Sequence, residues 1–163
     1  MRIIYENQDK SVGILIPTQE CIDLFGIEAI ANKDVPQGLP FWIVENVHIP
    51  ESRTFRGAWE IDRETIVEPH GYGHKYNTFE EVLEMLKINI DKAKEIKKDM
   101  LRVERKPLLE ALDVAVMMNI TDSVKLAEIE AEKQKLRDIT TKVDELTTVE
   151  ELKEATIESL IID

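Results

Sequence analysis

EPHGYGHKYNTFEEVLEM, residues 68–85, is where the chain changes character. Up to Asn77 lie all 6 glycines, every proline but one, both tryptophans and all three histidines; beyond it there is no glycine and only Pro107. Glycine and proline punctuate turns and strands, whereas a long run without them, rich in Lys, Glu and Leu, is the composition of helices. The stretch therefore separates two architectures: a small α+β domain over 1–70, a linker over 71–77, and a helical interaction and oligomerisation region over 78–163. The predicted fold class is α+β, an antiparallel sheet with a helix followed by a helical hairpin of coiled-coil character.

Working back from the junction, Arg2–Tyr5 and Val12–Ile16 are β-prone runs around the polar turn ENQDKS, which predicts a hairpin. DLFGIEAIAN (Asp23–Asn32) spaces Leu24, Ile27, Ile30 and Ala31 on one helical face and stops before Val35-Pro36. After the PQGLP turn, FWIVENV (Phe41–Val47) reads as a third strand and Ala58–Ile61 as a fourth.

Working forward, Thr78 and Glu81 form a capping-box pattern and predict a helix in which Phe79, Val82, Leu86, Ile90, Ala93 and Met100 recur at steps of three or four. Pro107, lacking an amide donor, is expected to end or kink that helix near Arg105. LLEALDVAVMM (Leu108–Met118) is apolar on nearly every side, so it is either deeply buried or an interface carried by Leu108, Leu109, Leu112, Val116 and Met117. Thr121 or Asp122 can cap a third helix whose narrow stripe, Leu126, Ile129 and Leu136, suits a hairpin or coiled coil. Thr148 and Glu151 repeat the capping box and predict a last helix to about Ser159.

Composition excludes several functions. A net charge of −12 at pH 7 opposes binding to nucleic acid or to an anionic membrane. No apolar run approaches the roughly 20 residues of a bilayer span, and MRIIYENQDK lacks the layout of a signal peptide, so residence in a cytoplasm is expected. The single cysteine, Cys21, reads as a small half-buried hydrophobe. His70 and His74 stand four apart with Glu68 nearby, but Gly71 and Gly73 oppose a helix and the rest of a ligand set is missing; they are weak metal candidates, and no metal or other cofactor is expected. No phosphate loop, nucleophile elbow or Cys–His arrangement occurs, and the chain reads as no enzyme.

IPESRTFRGAWEID (Ile49–Asp62) places two arginines among large apolar groups. Phe55 and Trp59 are expected to close the domain core while Arg53 and Arg56 meet carboxylates of this chain or of a partner. The alternative is that the segment is a protein-binding surface, since Trp and Arg are favoured anchors.

Together with MRIIY and KDVPQGLPFWIV (Lys33–Val44), this segment resembles the opening domain of small proteins encoded among the tail and tail-fibre genes of tailed bacteriophages and prophages. EKQKLRDIT (Glu132–Thr140) and TVEELKE (Thr148–Glu154) are similar to the helical carboxyl-terminal segments of those proteins and of tail-fibre-assembly or tail-assembly-chaperone-like proteins. The resemblance covers most of the chain and implies the setting of a phage tail and its fibres. Within that setting the helical stripe and the apolar Leu108–Met118 segment favour stable association, so a non-enzymatic virion component, an adaptor or anchor in the tail, is expected, with an assembly chaperone as the alternative and a small metal-binding or enzymatic accessory protein as the second. The resemblance implies other tail or tail-fibre proteins and further copies of itself as partners, the host cytoplasm during assembly, and the virion thereafter. It carries over no catalytic residue.

Overall fold

A computed structural model describes residues 1–65, 68–76 and 85–162. By its contacts the chain divides into two compact units, Met1–Asn89 and Ile90–Asp163.

In the first unit, β1 (Arg2–Glu6) and β2 (Val12–Leu15) form the expected hairpin. Its turn is closed by Asn7 N–H to the Ser11 carbonyl and Ser11 N–H to Asp9 Oδ1, while Lys10 takes the left-handed conformation. A Cβ at position 13 would collide with the Tyr5 ring lying across it, which is why this edge strand carries glycine. β3 (Pro40–Val44) pairs antiparallel with β1, Ile3 opposite Ile43 and Ile4 opposite Trp42. The expected strand to Val47 stops at Val44, and Asn46–His48 is a 3-10 turn.

Successive residues of a strand point to opposite faces, and both faces of this sheet are covered. Ile4, Trp42 and Val44 pack with Ile49, Trp59, Ile61 and Met85 on one side. Ile3, Phe41 and Ile43 pack with Ile27, Ile30, Ala31 and Val35 on the other. Two-sided burial explains why PFWIV is apolar without alternation.

The single helix expected over Asp23–Asn32 is two, α1 (Gln19–Phe25) and α2 (Ile27–Asp34). Gly26, at φ 79°, ends the first with its N–H on the Ile22 carbonyl and starts the second with its own carbonyl on Ile30 N–H. The break turns Leu24 out of the expected apolar face; it is 69% exposed. Cys21, expected to be half-buried, is exposed as well.

β4 (Trp59–Ile61) is the expected fourth strand, but it pairs with β7 (Leu86–Ile88) in a separate two-stranded sheet. Residues 71–76, expected within a linker, hold β5 (Gly71–Tyr72) and β6 (Lys75–Tyr76), a hairpin that extends the main sheet to the order β2-β1-β3-β5-β6. The helix start predicted at Thr78, with Phe79 and Val82, lies outside the described residues. Leu86, predicted on that helix, is in β7, and the first long helix begins at Ile90.

The second unit is an antiparallel hairpin of α3 (Ile90–Met118) and α4 (Ser123–Glu145), followed by α5 (Val149–Glu154) and α6 (Ile157–Ile161). Pro107 lies inside α3 and does not end it. The carbonyl that loses its helical donor belongs to Val103, which is 74% exposed, so water can satisfy it. Two residues away, Arg105 donates to the carbonyls of Leu136 and Arg137 at 3.0 and 2.9 Å, tying α3 to α4 beside the proline.

Asp122 caps α4 through the N–H groups of Val124 and Lys125, as its position predicts. The last helix is interrupted: Ala155 ends α5, and a second capping box, Thr156 with Ser159, starts α6.

Candidate interaction surface

The α3–α4 hairpin is not equally buried along its length. At its base Ala93 and Leu101 of α3 and Leu136, Ile139 and Val143 of α4 are buried, closed over by Leu152, Ile157 and Leu160 of the short helices. Toward the turn α4 keeps its stripe, but Leu126 and Ile129 are only half-buried. There Val114 is 49%, Met117 66%, Met118 80%, Ile120 72% and Val124 67% exposed. Two helices cannot cover an apolar surface that runs around most of α3, and α5 and α6 are too short to reach its end.

The interface residues expected from sequence fall into two sets. Leu109, Leu112 and Val116 are half-buried along the hairpin seam, whereas Leu108 and Met117 are exposed. Sequence reasoning missed Met118, Ile120 and Val124. For Met118 and Ile120 the signal is the charge-free run Val114–Thr121 continuing through the helix turn, which periodicity within one helix does not detect; Val124 lies beyond that run, after Asp122.

Below this end, α3, α4 and α6 enclose a groove of about 570 Å³. Its walls are apolar, formed by Leu108, Leu112, Leu136, Ile157 and Ile161, with Glu132, Lys135 and Glu158 also lining it.

Ion pairs fix the hairpin. Lys133 of α4 reaches Asp113 of α3 at 2.8 Å and Glu130 at 3.1 Å; Asp113 first, then Glu130, raises its pKa above 10.5. Lys98 of α3 joins Asp144 at 2.6 Å and Glu95 at 2.8 Å and is raised in the same way.

In the first unit, Phe55 and Trp59 are each 1% exposed, core residues as expected. Arg53 and Arg56 are exposed, and among the described residues neither meets a carboxylate; this corrects the expected pairing within the chain. The arginine that does pair is Arg63, with the buried Glu6. The 3-10 turn Arg56–Ala58 accounts for Arg56, because Phe55 and Ala58 beside it are buried while Arg56 itself is exposed; Arg53 is exposed in the loop before the turn.

The histidines do not share a site. His70 is buried, and its Nδ1 accepts the Ile43 N–H at 2.9 Å, which occupies the lone pair a metal would need there. His74 is exposed in a turn at φ 69°. Among the described residues no three His, Cys, Asp or Glu side chains are grouped to hold a metal, and no helix is long and apolar enough to cross a membrane.

A second groove, of about 340 Å³, runs in the first unit between β2 and the two short helices, with Ile16, Phe25 and Ile30 among its walls. Against protein-family models, curated proteins and solved structures, the chain gives no match.

Proposed function

We propose that this protein is a non-enzymatic component of the bacteriophage tail region, a virion protein that anchors or adapts tail or tail-fibre proteins through protein–protein contacts. The observation that carries the contact reading is the apolar end of the α3–α4 hairpin, where Met117, Met118, Ile120 and Val124 are all at least two-thirds exposed or close to it. Contiguous apolar surface of this kind is the usual mark of an interface. The outward guanidinium groups of Arg53 and Arg56 supply a second, polar contact region on the first unit.

The tail context rests on the sequence resemblance carried by KDVPQGLPFWIV, IPESRTFRGAWEID and EKQKLRDIT. In this reading the protein needs no cofactor and binds neither nucleic acid nor a membrane. It is made in the host cytoplasm and stays in the particle. Mass spectrometry of purified particles tests the reading: stoichiometric copies are expected. A protein required for assembly yet missing from the particle would be an assembly chaperone instead.

A further inference from the structure

We propose that two copies of this chain pair through the ends of their α3–α4 hairpins, antiparallel about a two-fold axis level with Asp113. The inference deepens the contact reading above and depends on it; it names a second copy as the occupant of the exposed end.

Leu108, Ala111, Ala115 and Met118 recur at steps of three, four and three, so they share one flank of α3. About position 113 this flank reads the same in both directions. Leu108 then opposes Met118 of the second copy, and Ala111 opposes its Ala115. A two-fold interface requires such self-complementarity. The two alanines at its centre permit close approach of the helix backbones, and the large residues outside them close the ends.

The groove accepts the knob this pairing delivers. Leu108 forms one of its walls, so Met118 of the second copy arrives at its mouth. Methionine, unbranched and polarisable, suits an irregular apolar cleft of this kind.

Charge selects the same partner and register. Two chains of net charge −12 repel each other, so a self-pairing face gains from opposite charges brought level with one another. At about 1.5 Å per residue, Lys125 lies roughly 4.5 Å on the turn side of the axis and Glu132 roughly 6 Å on the other. Lys125 and Glu132 are seven residues apart on one flank of α4, so each copy's lysine comes level with the other's glutamate. Glu128, level with its own counterpart, is exposed and can turn to solvent.

Sedimentation equilibrium of the full chain should give twice its 18.8 kDa. Met118→Asp alters a side chain that is 80% exposed, so helicity should be unchanged while dimer dissociation strengthens. A rise in the dimer dissociation constant of at least about tenfold is expected, as for a large side chain that fills a pocket of its partner. Register is read by mixing Ala111→Cys with Ala115→Cys, both in a Cys21→Ser background; the mixture should form disulfide-linked heterodimer faster than either variant alone forms homodimer. A monomer at about 100 μM, a concentration at which even micromolar pairing is saturated, overturns the proposal. So does a dimer that Met118→Asp leaves intact, or one in which the mixture has no cross-linking advantage. A monomeric chain that is nevertheless stoichiometric in particles overturns this pairing and leaves the tail assignment standing; a dimer absent from particles does the reverse.

Discussion

The core of the first unit and the turn end of the helical hairpin are both rich in large apolar residues, with opposite outcomes. Phe41, Trp42, Phe55 and Trp59 are at most 1% exposed because a sheet covered on both faces encloses whatever projects from it. Val114, Met117, Met118 and Val124 are half to four-fifths exposed because two helices bury only the stripes along which they touch. Apolar composition alone therefore does not distinguish a core from a contact surface. What distinguishes them is how many layers the topology stacks over the segment.

The largest test of this contrast is Trp59→Ala. Removing a fully buried indole should destabilise the first unit by about 3 to 5 kcal/mol, while the same change in kind at Met118 should leave folding untouched. Near-ultraviolet circular dichroism should lose its aromatic signal on mild warming as the far-ultraviolet helical signal persists. Simultaneous loss of both signals would show that the two units fold as one, and the contrast would fail.

Pro107→Ala tests the helical unit in the opposite direction. A proline inside a helix costs up to about 3 kcal/mol relative to alanine, so the variant should be more stable by about 1 to 3 kcal/mol in denaturant melts. An unchanged midpoint would mean that α3 has already relaxed around the missing amide. Thr148→Ala removes a capping-box hydroxyl that accepts the Glu151 N–H at 3.2 Å, and it should cost about 1 kcal/mol.

The pH dependence of the same unit has two sides. The backbone N–H of Thr147, then that of Thr148, holds the Glu151 carboxylate below its ordinary 4.5. Its contribution is fully present above 4.5 and is lost as pH falls through the lowered value. Lys133 has the opposite sign: its contribution is present below 10.5 and is lost as pH rises through the raised value. Melting temperatures across pH should therefore fall at both extremes, and Lys133→Met should remove part of the alkaline loss.

The smallest effect is expected at Arg56→Ala. Its guanidinium group is exposed and meets no carboxylate among the described residues, so stability should change by less than about 0.5 kcal/mol. On the proposed function, any loss should instead be seen in co-purification with tail proteins. Chelator treatment is likewise expected to leave both units unchanged, since His70 gives its Nδ1 to the Ile43 amide.

Local chemistry was legible in the sequence wherever one residue satisfies its neighbours. The β1–β2 turn, the Asp122 cap and the Thr148–Glu151 capping box depend on groups within a few residues of one another, and all form as the sequence predicts. The α+β class follows from the glycine and proline asymmetry in the same way. Periodicity was less decisive where a residue suits two elements. Leu86 fits a helical stripe, yet it is in β7 because Ile61 and Trp59 in β4 offer a pairing partner distant in sequence. Pro107 is expected to end or kink a helix, and α3 continues through it, where the carbonyl left without a donor belongs to the exposed Val103 and Arg105 ties the adjacent turn to α4. Likewise, the sequence by itself determined that Leu108–Met118 is apolar on nearly every side; tertiary structure decided that this chain covers only part of it. Burial depends on the elements that lie across a segment, and that information is not contained in the segment.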